Sequence, residues 1–163
     1  MMPSLSRRTF LKAGLAGSLL LAVAGQVAAA PDEEGRMLRA VAAALLVGAL
    51  PESGGERERM LDETVQGIRK AVAGLSLPVQ KEIVELFSLL TLSPVRRLLA
   101  GVNADWGEAR VVDVSAFLEQ WRNSRFALLQ SAYAALHDLT FGAWYARPER
   151  WDAIGYPGPP EVF

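Results

Sequence analysis

The chain has 163 residues, a formal net charge of −1, no cysteine and one histidine, His137. Without thiols it has no disulfides, thiolate-bound zinc, iron–sulfur clusters or covalently attached c-type haem. The single histidine excludes two-histidine zinc motifs, and the glycines never reach the spacing of a nucleotide-binding loop. We therefore expect this chain to bind no metal and no cofactor of its own.

Residues 6–12 read Ser-Arg-Arg-Thr-Phe-Leu-Lys and precede an uncharged apolar stretch, Ala13 to Val27. This order is typical of a twin-arginine export signal, which a receptor reads as an address. The alternative is the basic start of an ordinary secretory signal. We expect export by the twin-arginine translocase to the periplasm. The residues that carry the signal are Arg7, Arg8, Phe10, Leu11 and Lys12.

Small residues at Val27 and Ala29 predict cleavage by signal peptidase after Ala29, because Pro31 would hinder a cut after Ala30. Residues 1–29 are thus expected to be a leader, and residues 30–163 a single domain. If cleavage fails, the leader would hold the protein at the inner membrane.

The mature part is mildly acidic. It contains all 18 acidic residues and 14 of the 17 basic ones, so its formal net charge is −4. Nucleic-acid binders carry a basic footprint, so we expect no nucleic-acid partner. The twin-arginine route carries folded proteins, and such cargo usually folds early around a cofactor or a partner.

Apolar residues recur at steps of three and four in the first half of the mature chain, which predicts helices. The first contains Met37 and is ended by Gly48 and Pro51, so that residues 47–55 form a turn-rich loop, and a second runs from Glu56 to Ala73. A third begins at Ser76, and a short fourth begins with Ser93-Pro94 and stops at Gly101. The positions expected to face inward are Leu38, Val41, Leu45 and Leu46, then Met60, Leu61, Val65, Ile68 and Val72, then Val79, Ile83, Leu86, Phe87 and Leu90.

A loop around Trp106 leads to one long predicted helix from Val114 to Ala146, ended by Pro148. We expect Trp106 and Trp121 to be packing residues. No stretch alternates for long as a strand does. The predicted class is all-α, a small irregular bundle of about five helices with an extended tail, 147–163. The inward positions of the long helix are Phe117, Leu118, Trp121, Leu128, Ala132, Leu136 and Leu139.

Six of the thirteen aromatic residues lie in the last 24 positions. The glycines and prolines of 151–160 prevent a helix there, and such an apolar strip must lie on something. It either straps across its own bundle or docks on another protein, where Trp and Tyr anchors often carry binding energy. The candidate partner-binding residues are Trp144, Tyr145, Trp151, Ile154, Tyr156 and Pro157.

The chain resembles the gluconate 2-dehydrogenase subunit 3 family, the small subunits of membrane-bound flavin-dependent dehydrogenase complexes. The resemblance lies in the twin-arginine leader, in a first helix that runs into Gly48-Ala49-Leu50-Pro51, in the helical middle, and in the closing run 144–159. It implies a large partner subunit of the glucose–methanol–choline (GMC) type that contains FAD, often joined by a c-type cytochrome subunit. The resemblance also implies that this leader exports the folded catalytic subunit.

Two other functions remain open. A stand-alone periplasmic protein would bind a quinone or a lipid in an apolar pocket. An enzyme would need His137, Asp138 and a distant carboxylate as its catalytic set. We expect His137 to be a surface or half-buried residue without a catalytic role. The carboxylate pairs Glu56–Glu58 and Glu82–Glu85 are expected to lie on solvated helix faces.

Overall fold

The computed structural model describes residues 32–151, 155 and 157, and the residues that form regular structure in this part are helical. The predicted all-α class, a small helical bundle, is confirmed. Among the described residues, six α-helices are followed by a single 3₁₀ turn, Pro148–Arg150. The helices are α1 Glu33–Leu45, α2 Gly55–Ala73, α3 Leu77–Thr91, α4 Ser93–Leu98, α5 Val111–Arg122 and α6 Ala127–Tyr145.

Helix α1 lies at the centre of the bundle and contacts α2, α3, α5 and α6. Its buried positions include three consecutive alanines, Ala42, Ala43 and Ala44, whose small side chains let neighbours approach on several sides. Ion pairs set its direction against α2. Arg69 of α2 pairs with Asp32 at the start of α1, and Arg39 at the middle of α1 pairs with Asp62 of α2. The two helices are therefore antiparallel.

Helices α2 and α6 also run antiparallel and approach closely at Gly67. A Cβ atom added to Gly67 would lie 2.9 Å from the Cβ of Ala143, closer than real Cβ contacts. Glycine is required here by the small distance between the helices. This contact places the end of α6 beside the middle of α2.

Three aromatic side chains form the centre of the core. Phe117 and Trp121 meet edge to face, with ring centroids 4.8 Å apart, and Trp106 lies beside Phe117. The indole N–H of Trp106 donates to the carbonyl of Leu90 at 2.8 Å, and that of Trp121 donates to the carbonyl of Leu99 at 3.2 Å. The prediction that both tryptophans are packing residues is confirmed.

The predicted loop after the first helix is confirmed, but the predicted single long helix was wrong. Helix α1 ends at Leu45, and a turn through Gly48 (φ 85°) follows. The segment predicted as one long helix forms two helices, and the helical conformation is interrupted between Arg122 and Ala127. The amide of Asn123 donates to the carbonyl of Glu119, and the hydroxyl of Ser124 accepts from a backbone N–H two residues on. These local bonds compete with helix continuation.

Two residues expected to face inward are exposed instead. Val79 is 40% exposed and Leu128 is 49% exposed. Both lie in the first turns of their helices, α3 and α6. The buried residues of α3 are Phe87 and Leu90, near its far end, so its first half stands in solvent.

Candidate functional site

The predicted partner-binding residues occupy different environments. Trp144 is buried in a core cluster with Ala42, Leu46 and Leu61, so its side chain is not on the surface of the bundle. Tyr145 is exposed. Trp151 is half-buried and Pro157 is exposed, while Ile154, Tyr156 and the export-signal residues lie outside the described residues.

Arg150 attaches the root of the tail to the bundle. Its guanidinium stacks over the Trp144 ring, 3.9 Å from the centroid, and the residue is only 5% exposed. Its Nη2 donates to Glu63 Oε2 at 2.9 Å, and its Nη1 donates to the Thr64 hydroxyl at 3.3 Å. Burial lowers the pKa of Arg150, and the nearby Arg147 lowers it further, whereas Glu63 opposes both. Arginine remains charged throughout the physiological range, so the stacked cation persists.

Trp151 fixes the next residue of the tail. Its indole N–H donates to the carbonyl of Tyr145 at 2.8 Å. That carbonyl belongs to the last turn of α6, where helix carbonyls lack intrahelical partners. The tail therefore begins against its own bundle, with Arg150 on α2 and Trp151 on the end of α6.

Four ring side chains extend from this anchor along α6. Tyr133, His137, Phe141 and Tyr145 follow one another at steps of four, and we call this set the aromatic ladder. The ring centroids are 5.7 Å apart for Tyr133–His137, 4.6 Å for His137–Phe141 and 6.0 Å for Phe141–Tyr145. At about 1.5 Å per residue the ladder is about 18 Å long.

The sequence analysis did not identify the ladder, although its four rings recur at a regular spacing along the chain. The signal was visible, because residues four apart on a helix are neighbours. Asp138 is also the one charged side chain among the 19 residues of α6. Of the ladder rings, Tyr133 and Phe141 are partly buried against the core, and Tyr145 is exposed.

His137 takes part in the ladder and in one charged contact. Its Nδ1 lies 2.9 Å from Asp138 Oδ1, and its side chain is 39% exposed. The rings of Tyr133 and Phe141 lie on either side of it along the helix. The structure confirms the expected half-buried position. The contact with Asp138 joins adjacent residues at the surface.

A small cleft continues the ladder beyond Tyr133. It measures about 170 Å³ and lies between α1, α5 and α6. A second cleft, of about 130 Å³, lies between α1 and α2 and is lined by ion-paired arginines. Pockets for drug-sized ligands usually measure about 300–1,000 Å³. The residues that line the first cleft are Ala44, Leu45, Ser115, Leu118, Glu119 and Tyr133.

The paired carboxylates are solvated, as expected. Glu56, Glu58, Glu82 and Glu85 are all exposed. Glu58 pairs with Arg39 of α1, and the remaining pairs in which these acids take part join residues on the same helix. Surface pairs of this kind contribute about 0–1 kcal/mol each.

Within the part of the chain that the structure describes, no helix combines the length and hydrophobicity needed to cross a membrane. The same residues form no group of three or more His, Cys, Asp or Glu side chains able to hold a metal ion. No protein-family model, curated protein or solved structure matches the chain. The resemblance to the gluconate 2-dehydrogenase subunit 3 family therefore stays a prediction.

Proposed function

We propose that this protein is the non-catalytic small subunit of a periplasmic dehydrogenase complex and escorts a folded FAD-containing subunit of the GMC type through the twin-arginine translocase. The observation that carries the proposal is the export sequence Ser6 to Lys12 at the head of a helical domain rich in C-terminal aromatic residues. A signal for folded cargo is useful to a second polypeptide only if that polypeptide is bound before transport.

The described geometry supports a binding surface at the end of α6. The aromatic ladder ends at Tyr145, and Trp151 binds the carbonyl of that same residue. The ladder and the root of the tail thus form one continuous edge of the molecule. Exposed Tyr and Trp side chains are the groups that most often act as interface anchors.

The anchor at Arg150 gives this surface a defined start. Arg150 and Trp151 are both fixed on the bundle, Arg150 on Glu63 and Trp151 on the carbonyl of Tyr145. A tail with a fixed root loses less conformational freedom on binding than a free chain does. In the proposed complex the large subunit covers the ladder and the tail together, and a c-type cytochrome is a further subunit of the complex.

The experiment is a recovery of the native complex from the cell envelope. The full chain carries an affinity tag in the exposed loop at Ser53, so that both termini stay free. We expect a larger polypeptide with a flavin spectrum to copurify. Tyr145→Ala should reduce its recovery about tenfold, the effect of losing one aromatic anchor. Leu77→Ala removes an exposed apolar side chain of α3 instead, 79% exposed in the structure, and is the matched control.

Two results would contradict this proposal. One is recovery of the tagged chain alone, without any flavin-containing companion. The other is equal loss of the flavin-containing companion in the Tyr145 and Leu77 variants, which would show that the companion does not bind through the aromatic ladder.

The alternative is a stand-alone protein that binds a quinone or a lipid. The observation in its favour is the apolar floor of the cleft beside Tyr133, formed by Ala44 and Leu45. Its volume of about 170 Å³ is below the range typical of ligand pockets. Organic extraction of the purified protein followed by mass spectrometry tests this function. A stoichiometric quinone or lipid on a monomer would favour it over the escort function.

A further inference from the structure

Three large apolar side chains are exposed at one end of the bundle. Leu98, the last residue of α4, is 88% exposed, and Leu99 beside it is 46% exposed. Phe126, which directly precedes α6, is 56% exposed. Single apolar residues on a protein surface are ordinary, but a group of large ones marks a contact with another molecule or with a membrane.

Trp121 brings these residues together, although α4 and α6 are far apart in the sequence. Its indole N–H donates to the carbonyl of Leu99 at 3.2 Å. Trp121 is also the next-to-last residue of α5, and its carbonyl accepts a hydrogen bond from the backbone N–H of Ser124, which lies in the connection to α6. The end of α4 and the connection between α5 and α6 therefore meet at this buried tryptophan.

The same end of the bundle carries three exposed arginines. Arg97 lies in the last turn of α4, and Arg122 and Arg125 lie on the two sides of the turn after α5. The guanidinium carbon of Arg125 lies 4.9 Å from the ring centroid of Phe126. Arg122 has one long contact with Glu119, at 3.9 Å. We call the combined surface the basic apolar patch, and its residues are Arg97, Leu98, Leu99, Arg122, Arg125 and Phe126.

The positive charge of this patch is not neutralised within the domain. In the part of the chain that the structure describes, Arg97 and Arg125 form no ion pair. The neighbouring Arg96 is buried and pairs with Asp105 and Glu33, so those two carboxylates are already engaged. The mature chain as a whole has a formal net charge of −4, which makes this end an exception in an acidic protein.

An anionic bilayer surface is complementary to both parts of the patch. Guanidinium groups bind phosphate oxygens through strong charge-assisted hydrogen bonds. Leucine and phenylalanine side chains enter the boundary between lipid headgroups and acyl chains. A nucleic acid would engage the arginines alone, because its binding depends mainly on phosphate contacts. We propose that the basic apolar patch binds the domain to the surface of a bilayer that contains anionic lipid.

The patch leaves the aromatic ladder free. The 19 residues of α6 separate Phe126 from the last ring of the ladder, Tyr145, which corresponds to about 28 Å along the helix. A companion protein bound at Tyr145 and a bilayer at Phe126 would thus contact opposite ends of α6. The inference goes beyond the proposed function, because lipid binding by the patch requires neither the flavin-containing companion nor export.

The test places a fluorescent reporter at one position of the full chain, which is possible because the chain has no cysteine. Leu98→Cys carries an NBD dye in the patch. Val47→Cys carries the same dye in the turn after α1 and is the matched control, because Val47 is 66% exposed and lies beyond the other end of α1 from the Arg96–Glu33 contact. Each labelled protein is titrated with vesicles of phosphatidylcholine, with or without phosphatidylglycerol.

We expect the dye at position 98 to shift to shorter emission wavelength on vesicles that contain phosphatidylglycerol, because it enters the headgroup region. The dye at position 47 should stay in water and not shift. The leader is present in every variant, so its own contribution to vesicle binding is the same in all of them.

A second pair of variants tests the arginines. Arg97→Ala and Arg125→Ala together, in the chain labelled at position 98, should raise the vesicle concentration needed for half of the shift about 25-fold, about fivefold for each arginine. Arg110→Ala is the control and should leave this concentration unchanged. Arg110 lies about 18 Å from Arg122 along α5, which exceeds the Debye length of about 8 Å at physiological ionic strength.

Three results would overturn the inference. One is an equal shift at positions 98 and 47, which would mean that the patch is not the surface that meets the lipid. Another is a shift at position 98 that depends neither on phosphatidylglycerol nor on the two arginines. The third is a dye at position 98 that responds to the flavin-containing companion and not to vesicles, which would assign the patch to a protein partner. Failure to recover that companion contradicts the proposed function alone, since the vesicle titration uses the purified chain.

Discussion

Replacing Arg150 by alanine tests whether the root of the tail is fixed by the bundle. The variant loses a stacked cation over Trp144 and a charged hydrogen bond to Glu63. A desolvated cation–π contact is worth about 1–2 kcal/mol, and a hydrogen bond to a charged group about 1.5–3 kcal/mol. Part of this gain is offset in the natural protein by the cost of burying the guanidinium, the same burial that lowers the pKa of Arg150. We therefore expect a net loss of about 2–3 kcal/mol in the free energy of unfolding.

The assay is equilibrium unfolding in urea, followed by far-ultraviolet circular dichroism on the domain without its leader. With a slope of about 1.5 kcal/mol per M of urea, the midpoint should fall by about 1.3–2 M and the slope should not change. The matched control is Arg147→Ala. Arg147 is more exposed and pairs with Glu63 and Glu149, so its loss should cost less than about 1 kcal/mol.

The comparison between these two variants decides the outcome. Arg147 also repels Arg150, which makes its removal still less costly. Equal urea midpoints for the two variants would refute the reasoning. They would show that the buried contact of Arg150 with Trp144 contributes no more stability than the surface ion pairs of Arg147.

Three further changes have expected outcomes. Gly67→Ala should destabilise the domain by about 1–3 kcal/mol in urea unfolding, because the added Cβ would overpack the contact with α6. The control Gly142→Ala lies in open space on α6 and should stabilise the domain by about 1 kcal/mol. Equal effects of the two substitutions would contradict the close helix contact. Trp106→Phe should cost about 1–3 kcal/mol by leaving a buried carbonyl of α3 without its donor, and an unchanged melting curve would contradict this. Arg110 lowers the pKa of Asp113 below its ordinary value of 3.8, so this pair stabilises the fold above about pH 4 and the effect is lost as the pH falls through the lowered pKa. Asp113→Asn should therefore flatten the acid limb of the stability–pH curve, and an unchanged limb would argue against the pair.

The helical class was predictable because the apolar periodicity is clear in every long helix. The break between α5 and α6 was not, because Trp121 and Leu128 are seven residues apart and keep the helical period across it. The interruption of the helix is associated with Asn123 and Ser124, whose side chains form hydrogen bonds with nearby backbone groups. The apolar periodicity of the sequence does not show whether such local hydrogen bonds are more stable than a continued helix.

The tail anchor was beyond sequence reasoning for a different reason. Arg150 reaches Glu63 and Thr64, which are 87 and 86 residues away along the chain. No local pattern encodes a contact of that kind. The aromatic ladder, by contrast, is a local feature at steps of four, and a systematic search for ring side chains at that spacing would have found it.

The most direct test of the escort function measures where the catalytic subunit's activity appears. Arg7→Lys and Arg8→Lys together keep the charge of the leader but remove the paired arginines that the translocase reads. The account predicts that flavin-dependent dehydrogenase activity then remains in the cytoplasm, together with this subunit. Normal periplasmic activity from cells that make only the double-lysine chain would contradict it.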